Sequence, residues 1–289
     1  MGERAPRGRT KRAITEAVNQ GERIQQTIDA KEKKKPKEKD KASMQAGTRP
    51  YPDHFPPQHL TKPGLEADLK SAPMYQAPGY KGSDKLRDMV AIITGGDSGI
   101  GRSVAVLYAR EGADIAIVYL NEHEDAEETK RAVEKEGKRC ILISGDVSDS
   151  EFCEEAVAKT IKAFGKLDIL VNNAAFQQHV ERIEDLSEAQ FDRTVKTNLY
   201  GYFNMAKAAI PHLQSGGSII NTGSVTGLLG SSHLLDYSMT KGGIHAFTRS
   251  LASSLIERGR SGRQECAPAF VCSGQRPAAR ATSPARSFR

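Results

Sequence analysis

Between residues 85 and 257 the chain alternates short apolar runs with longer amphipathic stretches, and few folds accommodate that pattern. The runs are Met89–Thr94, Ile115–Leu120, Cys140–Ile143, Leu167–Val171 and Ser218–Asn221. Helix-like spacing lies near 100–111, 124–136, 150–164, 188–213 and 237–257. A strand that is apolar at successive positions has both faces covered, which places it in a parallel sheet between helices. Right-handed crossovers then predict an α/β fold with a doubly wound parallel sheet and helices on both faces. No internal repeat of solenoid length competes with this reading.

Charge separates this domain from its flanks. Residues 1–45 carry 13 Lys and Arg against 7 Asp and Glu, and residues 258–289 carry seven Arg against Glu265. Each end is thus +6; the whole chain is also +6, so the part between them is −6. Residues 1–45 read as a basic disordered tail, too polar to offset the entropy of ordering. Within it Ile14, Val18, Ile24 and Ile28 mark a weak amphipathic helix between positions 11 and 30. Residues 46–84, rich in Pro and Tyr, read as an extended arm lying on the domain or on a neighbouring subunit; proline lowers the entropy lost when such an arm docks. Basic ends can bind nucleic acid, but no reader motif accompanies them, so no nucleic-acid partner is expected. The four cysteines (140, 153, 266 and 272) form no C-x-x-C pair, so neither a metal site nor a disulfide framework is expected. No signal-peptide stretch and no run near 18 apolar residues occurs, so a cytoplasmic protein without a membrane partner is the expectation.

The first apolar run leads into Thr94-Gly95-Gly96-Asp97-Ser98-Gly99-Ile100-Gly101. Glycines between a strand and a helix let the backbone approach a pyrophosphate at the positive helix N-terminus, as in Rossmann-type folds. The spacing, Gly95-x-x-x-Gly99-x-Gly101, departs from G-x-G-x-x-G. Downstream, Ser224 precedes Tyr237-x-x-x-Lys241 by thirteen residues. Tyr237 and Lys241 are four apart and share one helix face. A free phenol titrates near pH ~10, and an ammonium beside it lowers that value, so Tyr237 can exchange a proton with an alcohol or carbonyl. Taken alone, a Tyr-x-x-x-Lys pair is a solvated helix face and Ser224 a loop serine. Their order behind a nucleotide-type turn points to hydride chemistry. No G-x-S-x-G elbow surrounds Ser224, which argues against a hydrolase.

Thr94-Gly95-x-x-x-Gly99-Ile100-Gly101, Asn172-Asn173-Ala174, Ser224 and Tyr237-x-x-x-Lys241 together resemble the short-chain dehydrogenase/reductase family over residues 85–257. The arm, the glycine turn and the His233–Tyr237 approach resemble its bacterial general-stress and glucose/ribitol-dehydrogenase-like subgroup. The resemblance implies an NAD(P)-dependent oxidoreductase acting on a small alcohol, sugar, aldehyde or ketone, assembled as a homotetramer. It implies catalytic roles for Ser224, Tyr237, Lys241 and Asn198, the last holding a water that links Lys241 to solvent. It implies cofactor contacts from Gly95, Asp97, Ser98, Gly99, Ile100 and Gly101, from Asp146, Val147, Asn172 and Ala174, and from Tyr237 and Lys241, with Asp146 on the adenine amino group and Lys241 on the nicotinamide ribose. Ala175 stands where the family usually has glycine. Glu122, Glu124 and Asp125 follow the second strand, and no Lys or Arg precedes Gly99 in the turn, so the cofactor reading leans to NAD over NADP.

Past Glu257 the family pattern breaks. An Asn-x-x-x-Pro-Gly strand is implied, and the chain instead reads Arg260-Ser261-Gly262-Arg263-Gln264-Glu265-Cys266, then Arg, Ala, Pro and Ser. Out-of-frame reading of GC-rich DNA would produce such a switch, which neighbouring frames of the coding DNA test directly. The expectation is a sheet incomplete at its C-terminal edge, with the fifth strand uncovered. That leaves two rivals: a catalytically impaired chain that at most binds a dinucleotide, and a basic-tailed interaction protein.

Overall fold

The computed structural model describes residues 7–32, 56, 58, 60, 64–260 and 267–273. Its centre is a six-stranded parallel sheet of β1 (Val90–Thr94), β2 (Asp114–Tyr119), β3 (Cys140–Ser144), β4 (Leu167–Asn172), β5 (Leu213–Ser224) and β6 (Ala267–Ser273). The order across the sheet is β3-β2-β1-β4-β5-β6. Helices α2 (Gly99–Arg110), α3 (His123–Lys135), α4 (Ser150–Phe164), α5 (Glu188–Val195), α6 (Gly201–Ala209), α7 (Thr226–Leu229) and α8 (Leu235–Arg260) connect the strands.

The apolar runs divide between two cores as the pleat requires. Ile92 of β1 and Ala116 and Val118 of β2 face a core shared with Phe152, Val157 and Met205 of α4 and α6. Their neighbours Ala91, Ile93, Ile115 and Ile117 face the other core, with Ala105 and Ala109 of α2 and Val133 of α3. Both faces are therefore dry, which is why these strands show no polar alternation. Helix ends follow local chemistry: Asp149 accepts from Glu151 N–H ahead of α4, Ser187 accepts from Gln190 N–H ahead of α5, and Gly165 ends α4 in the left-handed region at φ 87°.

Three expectations change. The helix marked between positions 11 and 30 is present and longer, as α1 (Arg7–Glu32), so this part of the segment read as a disordered tail is helical. Ala17, Gly21 and Ile24 recur at helical spacing and are buried, and Gln20 Nε2 donates to the Ala189 carbonyl at the start of α5. Docking supplies the burial that its composition alone does not. The helix expected over 188–213 is split by a π turn at Lys196–Tyr200, which separates α5 from α6. Finally, the tail provides β6. It pairs in parallel with β5 from Ser218↔Ala267 to Ser224↔Ser273, so the β5 edge is covered. Ala267-Pro-Ala-Phe-Val-Cys-Ser is a short apolar run of strand length, and Pro268 is tolerable because β6 is the outermost strand. The expected frameshift junction near Gly259 falls within the last turn of α8, which runs to Arg260, and residues 261–266 and 274–289 lie outside the described residues.

The arm lies on the domain. Tyr75 OH donates to Glu128 Oε1 at 3.0 Å, Arg110 Nη1 donates to the Ala77 carbonyl at 2.9 Å, and Glu111 gathers the Tyr80 hydroxyl and the Ser83 and Lys85 N–H groups. Removing residues 261–289 is expected to uncover the β5 edge and shift the protein from soluble to aggregating in light scattering. An unchanged, soluble truncation would show that β6 contributes nothing to edge protection.

Candidate active site

The sheet order reverses between β1 and β4, and open α/β sheets carry their crevice at the carboxyl ends of such a pair. Thr94 closes β1 and ties the two ends together. Its hydroxyl accepts from Asn173 N–H at 2.9 Å and Ala174 N–H at 3.1 Å. Gly95 follows at φ 60°, and a Cβ there would come 3.0 Å from the Ala174 Cα. Gly101 presses α2 onto the same turn: a Cβ would lie 1.9 Å from the Gly95 carbonyl oxygen. Gly99 has φ 51° with open space where a Cβ would lie, so no side chain covers the start of α2 on the cleft side, and its N–H donates to Glu66 Oε2 at 2.5 Å.

A cleft of about 480 Å³ runs from this turn along the strand ends. Asp97, Ser98, Gly99 and Ile100 line it beside Leu120 and Glu122 from the end of β2. Gly145, Asp146, Val147, Ala174 and Ala175 form its middle, and Tyr237 and Lys241 its far end. Burial, reinforced by the charge of Glu122, pushes the Asp97 carboxyl up to about 6. Glu122 is also raised, chiefly by its own burial. Asp146 is already engaged: it pairs with Arg193 Nη1 at 2.9 Å and accepts from Ser148 N–H at 2.9 Å. Asn172 is not among the residues lining the cleft. Its side chain is buried beneath the sheet end and donates to Asn221 Oδ1 at 2.9 Å, while Asn173 takes the lining position.

Lys241 is 1% exposed, and burial lowers its ammonium to about 8. Nζ donates to the Thr222 carbonyl at 2.7 Å and to Tyr202 OH at 3.2 Å, and lies 5.4 Å from the centroid of the Tyr237 ring. Tyr202 is fully buried, which raises its phenol, and its hydroxyl donates to the same Thr222 carbonyl. Ser224 ends β5 under α7. Its Oγ lies 2.9 Å from Thr226 Oγ1 and accepts from Thr226 N–H, and it is not a lining residue of this cleft. Asn198 sits in the π turn, where its amide bonds both the N–H and the carbonyl of Phe176 and donates to Thr240 Oγ1 at 3.1 Å. Thr240 in turn donates to the Tyr237 carbonyl at 2.8 Å. Asp236 anchors the start of α8 to α5 by accepting from Thr194 Oγ1 at 2.6 Å. The glycine turn and the Tyr237–Lys241 pair, 136 residues apart from Gly101 to Tyr237, thus share one cleft.

The sequence model of the short chain dehydrogenase family matches residues 89–274. The chain belongs to this family. It is an oxidoreductase of the general-stress and glucose/ribitol-dehydrogenase-like subgroup. General stress protein 39 of Bacillus subtilis (strain 168) is 54% identical over 210 residues, which are 72% of this chain and 73% of that protein. The glucose and ribitol dehydrogenase of Daucus carota is 42% identical over 212 residues, 71% of this chain and 73% of that protein. A Burkholderia cenocepacia short chain dehydrogenase crystallised in complex with NADP is 35% identical, with a TM-score of 0.58 over 61% of this chain and 71% of that chain.

Sequence reasoning missed Glu66, Arg102, Arg193 and Tyr202. Arg193 and Tyr202 sit on helix faces that read as ordinary amphipathic pattern, and Glu66 lies in an arm without periodicity. Arg102 directly follows the glycine turn, but only the fold shows that its guanidinium turns back beneath Asp97. Gly101→Ala is expected to destabilise the protein by about 1–3 kcal/mol in urea unfolding, because the methyl has backbone on its far side. Gly79→Ala, where a Cβ meets nothing within 4 Å, is expected to stay within about 0.5 kcal/mol. Equal costs at the two positions would contradict this account of the turn.

Proposed function

We propose that the chain interconverts a small alcohol or sugar and its aldehyde or ketone, using a nicotinamide dinucleotide held along the cleft. The observation that carries this reading is the single cleft that joins the glycine turn to Tyr237 and Lys241. The fit is chemical as well as spatial. The turn brings a helix N-terminus to the cleft wall with no side chain at Gly99, suited to a pyrophosphate beside Ile100, and the far end presents a phenol beside a buried ammonium. A bound dinucleotide supplies the hydride donor or acceptor; the chain supplies position and proton handling.

In this reading Lys241, fixed by Thr222 and Tyr202, favours the phenolate of Tyr237 through its charge. Tyr237 takes the proton from an alcohol oxygen in oxidation and returns it to a carbonyl oxygen in reduction. Ser224 holds the substrate oxygen, which requires its hydroxyl to turn from Thr226. Asn198 contributes the water that links Lys241 to solvent, and its burial in the π turn supports a fixed rather than a surface role. Asp97 and Glu122 in the wall favour NAD over NADP, although the Burkholderia cenocepacia relative was crystallised with NADP. The exposed Phe191, Tyr200 and Phe203 along α5, the π turn and α6 support a homo-oligomer, and we place the protein in the cytoplasm. Among the described residues no helix is long and apolar enough to cross a membrane.

The test is fluorescence titration with NADH and NADPH, followed by turnover on a panel of sugars, polyols and aldehydes. Tyr237→Phe is expected to bind the dinucleotide as the wild type does and to lose about 10²–10⁴-fold in kcat. Wild-type turnover in the variant, or no dinucleotide binding by the wild type, would refute the proposal. A pH profile tests the ammonium. Burial favours the neutral amine, so the charge is present below about 8 and lost above it. Carbonyl reduction needs a protonated phenol beside that charge, so its rate is expected to fall as pH rises through about 8. A rate that stays flat to pH ~10, where a free phenol titrates, would remove Lys241 from the mechanism.

A further inference from the structure

Glu66 lies upstream of the residues that match the family and belongs to none of its motifs. It is nonetheless buried, at 7% exposure, against the cofactor turn. Its carboxylate accepts the Gly99 N–H at 2.5 Å and pairs with the Arg102 guanidinium, and its own N–H donates to Asp125 Oδ2 at 2.6 Å. Two residues earlier, Gly64 lines the cleft itself. Arg102 is enclosed on its other sides by the Asp97 carbonyl, Thr129 and Asp125, with the Tyr75 ring 5.1 Å away. The arm is therefore built into the wall of the dinucleotide cleft.

An anion at this corner would feel two positive features, the first N–H groups of α2 at the cleft wall and, buried behind that wall at 4% exposure, the guanidinium of Arg102. Glu66 takes one of these N–H groups, that of Gly99, and shares the guanidinium with Asp125. Asp97 and Glu122 add negative charge on the cleft side. A ribose phosphate ester carries between one and two negative charges near neutral pH, as phosphate monoesters do. In this corner it would meet carboxylates, and the cation that could bind it is already paired.

We propose that Glu66 is a positioning and specificity residue of the cofactor site. It holds the glycine turn in shape through Gly99 and, by neutralising Arg102, disfavours a dinucleotide that carries an additional ribose phosphate. The inference rests on the dinucleotide reading above. It assigns the arm a part in the site rather than only a packing role.

Dissociation constants for NADH and NADPH are measured by fluorescence titration on the full chain, wild type beside Glu66→Gln and Tyr75→Ala. Glu66→Gln keeps the shape and removes the charge. It is expected to move the NADH-to-NADPH affinity ratio toward NADPH by about tenfold or more. Tyr75→Ala loosens the arm without changing charge and is expected to alter both affinities alike. An unmoved ratio in Glu66→Gln, or the same shift in Tyr75→Ala, overturns the proposal. Hydrogen exchange on the wild type tests it without a variant: saturating NADH is expected to slow exchange of the Leu65–Leu69 amides, and unchanged exchange overturns the positioning role. Failure of the wild type to bind either dinucleotide would refute the reading of the cleft and this inference together. Binding of both with an unmoved ratio would refute the inference alone.

Discussion

One hydroxyl sets the geometry on which the site depends. Thr94 lies where the sheet reverses its order, and its Oγ accepts the first two N–H groups beyond β4. Without such an acceptor two part-buried N–H groups would be left unpaired, each at a cost of up to about 1–3 kcal/mol. With it, the loops after β1 and β4 leave the sheet as one unit. Gly95 then fits against Ala174, and α2 starts at a fixed distance from Asn173. The backbone face presented to a ligand follows from a strand-end contact rather than from the glycines alone.

The remaining polar groups of the site are buried charges, and each is compensated in its own way. Arg102 has carboxylates on two sides, and Arg193 pairs with Asp146. Among the described residues Lys241 pairs with no carboxylate; it relies on a carbonyl, a phenol and two aromatic faces. A buried ion pair replaced by apolar groups often costs little, but a buried charge stripped of its partner costs several kcal/mol. Structural arginines here are thus neutralised, while the Lys241 ammonium, which we propose as catalytic, has no carboxylate beside it and lies next to Tyr237.

The sheet was legible because burial on both faces writes itself as contiguous apolar residues, and β1 to β4 fall within one or two positions of their runs. The run ending at Asn221 marked only the middle of β5, because its first residues, around Gly216 and Gly217, are not apolar. The π turn was not legible: one inserted residue between α5 and α6 leaves the helical period almost intact. Neither was Glu66, since its partners Gly99, Arg102 and Asp125 lie 33 to 59 residues away and no local pattern encodes them. Asn172 and Asn173 show a finer limit. Adjacent strand-end residues point to opposite faces, and only the register decides which one reaches the cleft. The tail reads as foreign in composition, yet seven of its residues have enough apolar, extended character to pair with β5.

The arm touches α2 at both ends, through Glu66 at Gly99 and through Tyr80 and Ala77 at Glu111 and Arg110. It also needs Asp125 and Glu128 of α3. Every one of these partners is encoded after it. During synthesis the arm therefore leaves the ribosome with nothing to bind, and it has to wait until β1, α2 and α3 have packed. The segment that is made early is among the last to settle, and the wall it forms is finished only after the rest of that half of the domain is standing.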